Sequence, residues 1–149
     1  WSGFGSAGAT VIENPDASGI NTSTKVTELV KNDGAETWAG VSQRLGGAID
    51  FSQGTTISIK TWSPKTGATI LLKLENSKSE PDANGNPSVI AEVQQTTTVA
   101  NAWEELDFDL ISFGAFDPNA GYDTVVVFYG FGNTEGGTFS FDDIQIKND

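Results

Sequence analysis

The 149 residues contain no cysteine, no histidine and no methionine. Without cysteine there is no disulfide framework, no thiolate nucleophile and no Cys-held zinc or iron–sulfur centre. Without histidine there is no Ser-His-Asp triad, no zinc-protease helix and no proximal-His haem. Any chemistry would fall to carboxylates, lysine, tyrosine or a hard cation. The missing methionine means that the sequence opens at Trp1 rather than at an initiator. The expectation is one domain, residues 1–149, excised from a larger chain. Basic side chains are also scarce, with 8 Lys and Arg against 20 Asp and Glu and a formal charge of −12. A surface of that sign excludes nucleic acid and anionic membrane as main partners. The longest apolar run, Val125 to Tyr129, is far short of the ~20 residues of a membrane span. No membrane insertion is expected.

What remains is enough for a core: 37% of residues are hydrophobic and 10% aromatic. The pattern is strand and turn throughout. Alternation of period two predicts strands over Ala9–Glu13, Thr37–Leu45, Thr56–Trp62, Thr69–Glu75, Val89–Thr98, Trp103–Asp109, Thr124–Phe131 and Thr138–Ile146. Lys25–Lys31 is apolar on both parities and is read as a strand in preference to a helical turn. Ser63–Gly67 is read as a hairpin-type loop. Asn84-Gly85, within Asp82–Pro87, is a stronger hairpin signal. Strands at this spacing predict an all-β jelly-roll β-sandwich of two antiparallel sheets.

Several segments are more specific. They are Asn14–Val26 (NPDASGINTSTKV), Ile49–Ser52 (IDFS), Trp62-Ser63-Pro64, Leu71–Glu75 (LLKLE), Trp103–Asp109 (WEELDFD), Phe131-Gly132-Asn133 and Phe141–Ile144 (FDDI). In this order and spacing the chain resembles the carbohydrate-binding modules of families 4, 16 and 22. Such modules are attached to secreted or cell-surface polysaccharide-degrading proteins of Bacteroidetes-type bacteria. The resemblance implies a non-catalytic, monomeric module that holds a polysaccharide near an appended catalytic domain. It also implies a structural Ca²⁺ away from the glycan face, with a ligand in the Phe-Asp-Asp-Ile element. Relatives carry a Phe-Glu-type opening segment, which this chain is expected to lack.

Sugar rings present C–H faces that stack on exposed aromatics, and their hydroxyls need side chains that donate and accept. Trp38 lies opposite in parity to Ala39, Val41 and Leu45, so it is expected to face outward together with Ser42 and Arg44. Trp62 shares its parity with Lys60. Gln94 lies outward if Ala91 and Val93 lie inward, and Tyr129 ends the most apolar strand. The candidate carbohydrate-binding residues are therefore Trp38, Arg44, Trp62, Gln94 and Tyr129, whereas Trp103 is read as structural.

The candidate calcium ligands are Glu13, Asp16, Asp142 and Asp143, since hard oxygen donors are abundant. Phe139 and Phe141 share one parity while Ile144 and Ile146 share the other, so a bulge is expected at the Asp142-Asp143 pair. The Asp82–Asn86 run is read as a turn rather than a calcium loop, because no closing Glu follows. Glu105, Asp107 and Asp109 fall on one strand face and resemble the carboxylate run of family 16 β-glucanases. A small glycoside hydrolase is thus one alternative, and a structural spacer without a glycan site is another. The negative charge favours a neutral β-glucan or mannan over alginate. A uronate polymer would need Arg44, Lys60 or bridging Ca²⁺ to offset repulsion.

Overall fold

The structure, a computed structural model, describes residues 1–148. Its strands are β1 (Ser2–Phe4), β2 (Ala7–Glu13), β3 (Lys25–Lys31), β4 (Gly40–Arg44), β5 (Thr56–Trp62), β6 (Thr69–Glu75), β7 (Ile90–Thr96), β8 (Trp103–Asp109), β9 (Thr124–Tyr129) and β10 (Gly137–Lys147). They form two five-stranded antiparallel sheets. The front sheet has the order β1-β4-β9-β6-β7 and the back sheet β2-β3-β10-β5-β8. The all-β, two-sheet sandwich read from the sequence is the fold observed.

Alternation decides which side chains enter the space between the sheets. Val41, Ile70, Leu72, Leu74, Ala91, Val93, Val125, Val127 and Tyr129 come from the front sheet. Leu29, Ile57, Ile59, Leu106, Phe108, Phe139 and Phe141 come from the back sheet. At roughly 25 cal/mol per Å² of apolar area removed from water, this shared core is the main stabilising term. No helix is long and apolar enough to cross a membrane among the described residues.

Long β10 shows how a strand can feed the core from both parities. Its register against β5 shifts between Asp142 and Gln145, and Asp143 adopts a φ of 46°. Phe139 and Phe141 face inward before the shift, and Ile144 and Ile146 pack against the same core after it. The expected bulge is present at the Asp pair.

Two expectations are corrected and two elements were not foreseen. β4 is shorter than Thr37–Leu45, because Trp38 sits in a turn closed by Ala39 N–H donating to the Glu36 carbonyl at 2.9 Å. Ser63–Gly67 is no hairpin. It carries the chain from β5 in the back sheet to β6 in the front sheet. β1 went unpredicted because glycines interrupt its three residues. A 3-10 turn at Leu110–Phe113, capped by the Asp109 carboxylate and closed by Gly114 at φ 76°, also went unpredicted. By contrast, Asn84-Gly85 does lie at the tip of the β6–β7 hairpin. There the Asp82 Oδ1 accepts from the N–H groups of Asn84 (2.8 Å) and Asn86 (2.9 Å). Those backbone donors hold the Asp82 carboxyl below its ordinary pKa.

Candidate functional site

The outer face of the front sheet carries the site. The strand register sets its side chains in rows: Phe4, Gly40, Phe128, Leu71 and Gln94 form one, and Ser42, Val126, Lys73 and Glu92 the next. Leu71, Val126 and Phe128 form a second apolar cluster, separate from the main core, with Phe4 and Phe131 packed against it. Trp38 stands over this floor. It is 51% exposed and stacks on Phe4, with ring centroids 6.2 Å apart and planes 18° apart. Phe4 meets Phe128 edge-on at 5.7 Å, and Phe131 meets Phe128 in the same way at 5.4 Å. The resulting cleft encloses about 470 Å³ and crosses the strands, from Trp38 and Phe4 over Ser42, Val126 and Phe128 to Lys73, Glu75, Asn86 and Pro87.

Two glycines make this packing possible. A Cβ on Gly40 would lie 2.8 Å from the Phe128 ring and 2.8 Å from the Val127 carbonyl oxygen, so only glycine lets Phe128 lie flat there. Gly5 has φ +65°, and a Cβ there would lie 2.9 Å from the Ala39 Cα and 3.1 Å from Trp38 Cζ3.

The charges in and beside the cleft are paired. Lys73 Nζ lies 3.1 Å from Glu75 and 3.6 Å from Glu92. Arg44 faces the same side and approaches Asp123 at 4.0 Å. Burial pushes the Asp123 carboxyl up. Donors from Ser77 N–H (2.8 Å), Ser77 Oγ (2.7 Å) and Thr124 Oγ1 (3.2 Å), with Arg44, outweigh this and hold it below its ordinary pKa. The face thus offers donors and acceptors, and its cations Arg44 and Lys73 each face a carboxylate. A second cleft of about 200 Å³ opens near Trp1, Leu45, Ile49, Ile57, Val125 and Ile144. Its lining is mostly apolar; the polar side chains there are Gln145 and Gln43, and Gln43 is already engaged by the Trp1 ammonium (2.9 Å) and the Arg44 carbonyl (2.9 Å).

Of the sequence candidates, the structure brings Trp38, Arg44 and Gln94 to this one face. Gln94 is exposed, across from Leu71. Tyr129 is corrected: its parity in β9 points it into the core, fully buried. Its hydroxyl meets Thr61 Oγ1 and the Ser140 carbonyl, and burial raises its pKa well above the ordinary phenol value. Trp62 does not reach this face. It lies on the outer face of the back sheet, edge-on to Trp103 at 5.7 Å. Trp103 is structural as read, its Nε1–H donating to Asn14 Oδ1 (3.0 Å) and the Asp16 carbonyl (3.1 Å).

The four acids singled out for calcium do not come together as one ligand set, and no group of three or more acidic ligands is gathered among the described residues. Glu13 faces Lys25 at 3.8 Å on the edge strand, Asp16 accepts from Ser18 Oγ, and Asp143 is held by Lys60 Nζ at 2.6 Å. Asp142 has a buried Oδ2 without a hydrogen-bond partner. One back-sheet strand, β3, separates the strand of Glu13 from that of the bulge.

The carboxylate run on β8 is engaged too. Glu105 and Asp107 share the Lys147 ammonium at 2.9 to 3.0 Å, and Asp109 caps the 3-10 turn. It lies on the back sheet, away from the cleft.

Sequence reasoning missed Phe4, Gly40, Phe128, Lys73 and the Asn86-Pro87 rim. One signal was available. β9 is apolar on both parities, so its outward residues Val126 and Phe128 needed a cover of their own.

No family model and no curated protein matches the sequence. Solved structures do match the fold. A family 11 carbohydrate-binding module from Clostridium thermocellum, in complex with a β-1,3-1,4-mixed-linked tetrasaccharide, matches at TM-score 0.66 and 16% identity, over 95% of this chain and 82% of that one. The family 30 module of the cellulosomal cellulase Cel9D-Cel44B of the same organism matches at 0.63 and 16%, over 99% and 92%. A putative sugar binding protein from Bacteroides thetaiotaomicron matches at 0.64 and 15%, over 97% and 83%. In one further match, to a carbohydrate-binding-module structure at TM-score 0.58 and 13% identity, the chain covers 56% of the other's length. What these matches define is the fold: the β-sandwich that carbohydrate-binding modules adopt. The families matched are 11, 30 and 61. Membership of family 4, 16 or 22 stays an expectation from sequence.

Proposed function

We propose that the protein is a non-catalytic carbohydrate-binding module that holds a neutral polysaccharide of the β-glucan or mannan type across the outer face of the front sheet. One observation carries this: a half-exposed Trp38, stacked on Phe4, stands at the end of a cleft with an apolar floor and a polar rim. A tryptophan exposed to that degree beside other aromatics is an interaction surface rather than core packing. Pyranose C–H faces would lie on Trp38 and the floor. Hydroxyls would meet Ser42, Lys73, Glu75, Asn86 and, further along the sheet, Gln94.

The paired charges support a neutral ligand. Arg44 and Lys73, the cations of this face that would welcome a uronate, each face a carboxylate already. The mixed-linkage tetrasaccharide held by the family 11 neighbour is of the same neutral class. In this reading the module is secreted or displayed at a bacterial surface and raises the effective concentration of an appended catalytic domain on its substrate.

Affinity electrophoresis against laminarin, mixed-linkage glucan, glucomannan, xylan and alginate tests this. Retardation by a neutral glucan or mannan is expected. Trp38→Ala is expected to weaken it by about 2 kcal/mol, roughly 30-fold, as for truncation of a central aromatic anchor. Retardation by alginate alone, or undiminished binding in Trp38→Ala, would contradict the proposal.

A further inference from the structure

One buried charge has no part in that reading as it stands. Lys31 ends β3 on the core-facing parity and is 2% exposed. Burial lowers its pKa, Glu135 partly offsetting the effect. An ammonium so placed costs stability, and an apolar side chain of similar volume is often the cheaper solution. Its bonds show what it does instead. Nζ donates to the Gly130 carbonyl at 2.8 Å and to the Asn133 carbonyl at 2.7 Å. β3 belongs to the back sheet, whereas both carbonyls lie in the loop that leaves β9 of the front sheet.

That loop reaches the proposed glycan face by two routes. Phe131, between the two carbonyls, packs edge-on against Phe128 in the cleft floor. Gly132 N–H donates to the Thr37 carbonyl at 2.9 Å, next to Trp38. Two further bonds join the same loops: Gly34 N–H to the Thr134 carbonyl at 2.9 Å, and Gly136 N–H to Asp33 Oδ1 at 2.9 Å. With the left-handed turns at Gly130 and Gly132, these carbonyls need a donor from below.

We propose that Lys31 is a positioning residue for the glycan face: its ammonium clamps the β9–β10 loop and so fixes both Phe131 under the floor and Trp38 at the rim. This rests on the reading of the Trp38 cleft as the binding site. Phe131 is the one large side chain by which the loop packs, and none of its side chains enters the core between the sheets, so these bonds supply much of its order.

The test uses protein labelled with 5-fluorotryptophan and followed by ¹⁹F NMR, with the Trp38 line assigned by Trp38→Phe. In Lys31→Met the Trp38 line is expected to shift and broaden while those of Trp62 and Trp103 stay in place, and glucan affinity falls at least 10-fold. If Lys31→Met does not fold, Lys31→Gln is measured in its place. It keeps amide donors without the charge. Equal movement of all tryptophan lines, no movement of the Trp38 line, or failure of both variants to fold would overturn the proposal, since each makes Lys31 either a general stabiliser or irrelevant to the face. If the wild type binds none of the glycans, the functional reading falls, and the Trp38 line still decides whether Lys31 positions that rim.

Discussion

Trp38 and Tyr129 both carry large amphipathic rings near the end of a strand, yet one faces solvent and the other lies in the core. The outward direction read for Trp38 holds although the residue sits in the turn before β4, because Ala39 and Val41 beside it are buried on the apolar side. Tyr129 ends a run in which every residue is apolar or aromatic. Such a run looks the same from both faces, and only its pairing with β4 and β6 decides the direction. Its hydroxyl is accounted for inside, by Thr61 and Ser140. Tyr129→Phe is therefore expected to cost about 1 kcal/mol, with a fall of roughly 3 °C in melting temperature, and to leave glucan affinity unchanged. Calorimetry paired with affinity electrophoresis checks both. Loss of binding at full stability would put Tyr129 back in the site.

Most elements were legible. β5, β6 and β8 fall where the alternation put them, β3 is the strand preferred there over a helical turn, and the β10 bulge could be read from the exchange of parity between Phe141 and Ile144. Short β1 was not legible, since Ser2-Gly3-Phe4 has too few residues to show a period. Connections between elements depend on single side chains. Asp123, at the start of β9, ties that strand to Ser77 after β6 through two hydrogen bonds and lies near Arg44 on β4. Its folded pKa is lowered, so its contribution is complete above the ordinary carboxylate value and is lost as pH falls through the folded value. Melting curves taken from pH 6 downward should show Asp123→Asn below wild type at the start. The gap should close as acid protonates Asp123. A gap that widens in acid would contradict this sign.

At the scale of the molecule, parity says which way a side chain points but not in which sheet its strand lies. Trp38 and Trp62 both point outward, and the crossing between β4 and β5, over residues 45–55, puts them on opposite sides of the sandwich. Long-range order of strands, set by which apolar faces close on each other, is not written in any local pattern. The same limit kept Phe4, Phe128 and the Asn86-Pro87 rim out of the sequence reading: Phe4 and Phe128 are 124 positions apart along the chain, yet they meet in one cleft with Lys73 and that rim. The distribution of charge follows the same logic. The −12 total is global, whereas the cleft is governed by a few pairs around Lys73 and Arg44.

The central claim is that one face of one sheet holds the glycan. A ¹H–¹⁵N correlation titration with a mixed-linkage glucan tetrasaccharide tests it most directly. The account predicts that the Trp38 indole N–H and the backbone signals of Ser42, Val126, Lys73 and Asn86 move together along one binding curve, while the indoles of Trp62 and Trp103 stay still. Movement centred on Trp62, Trp103 and β8 with a silent Trp38 would contradict it.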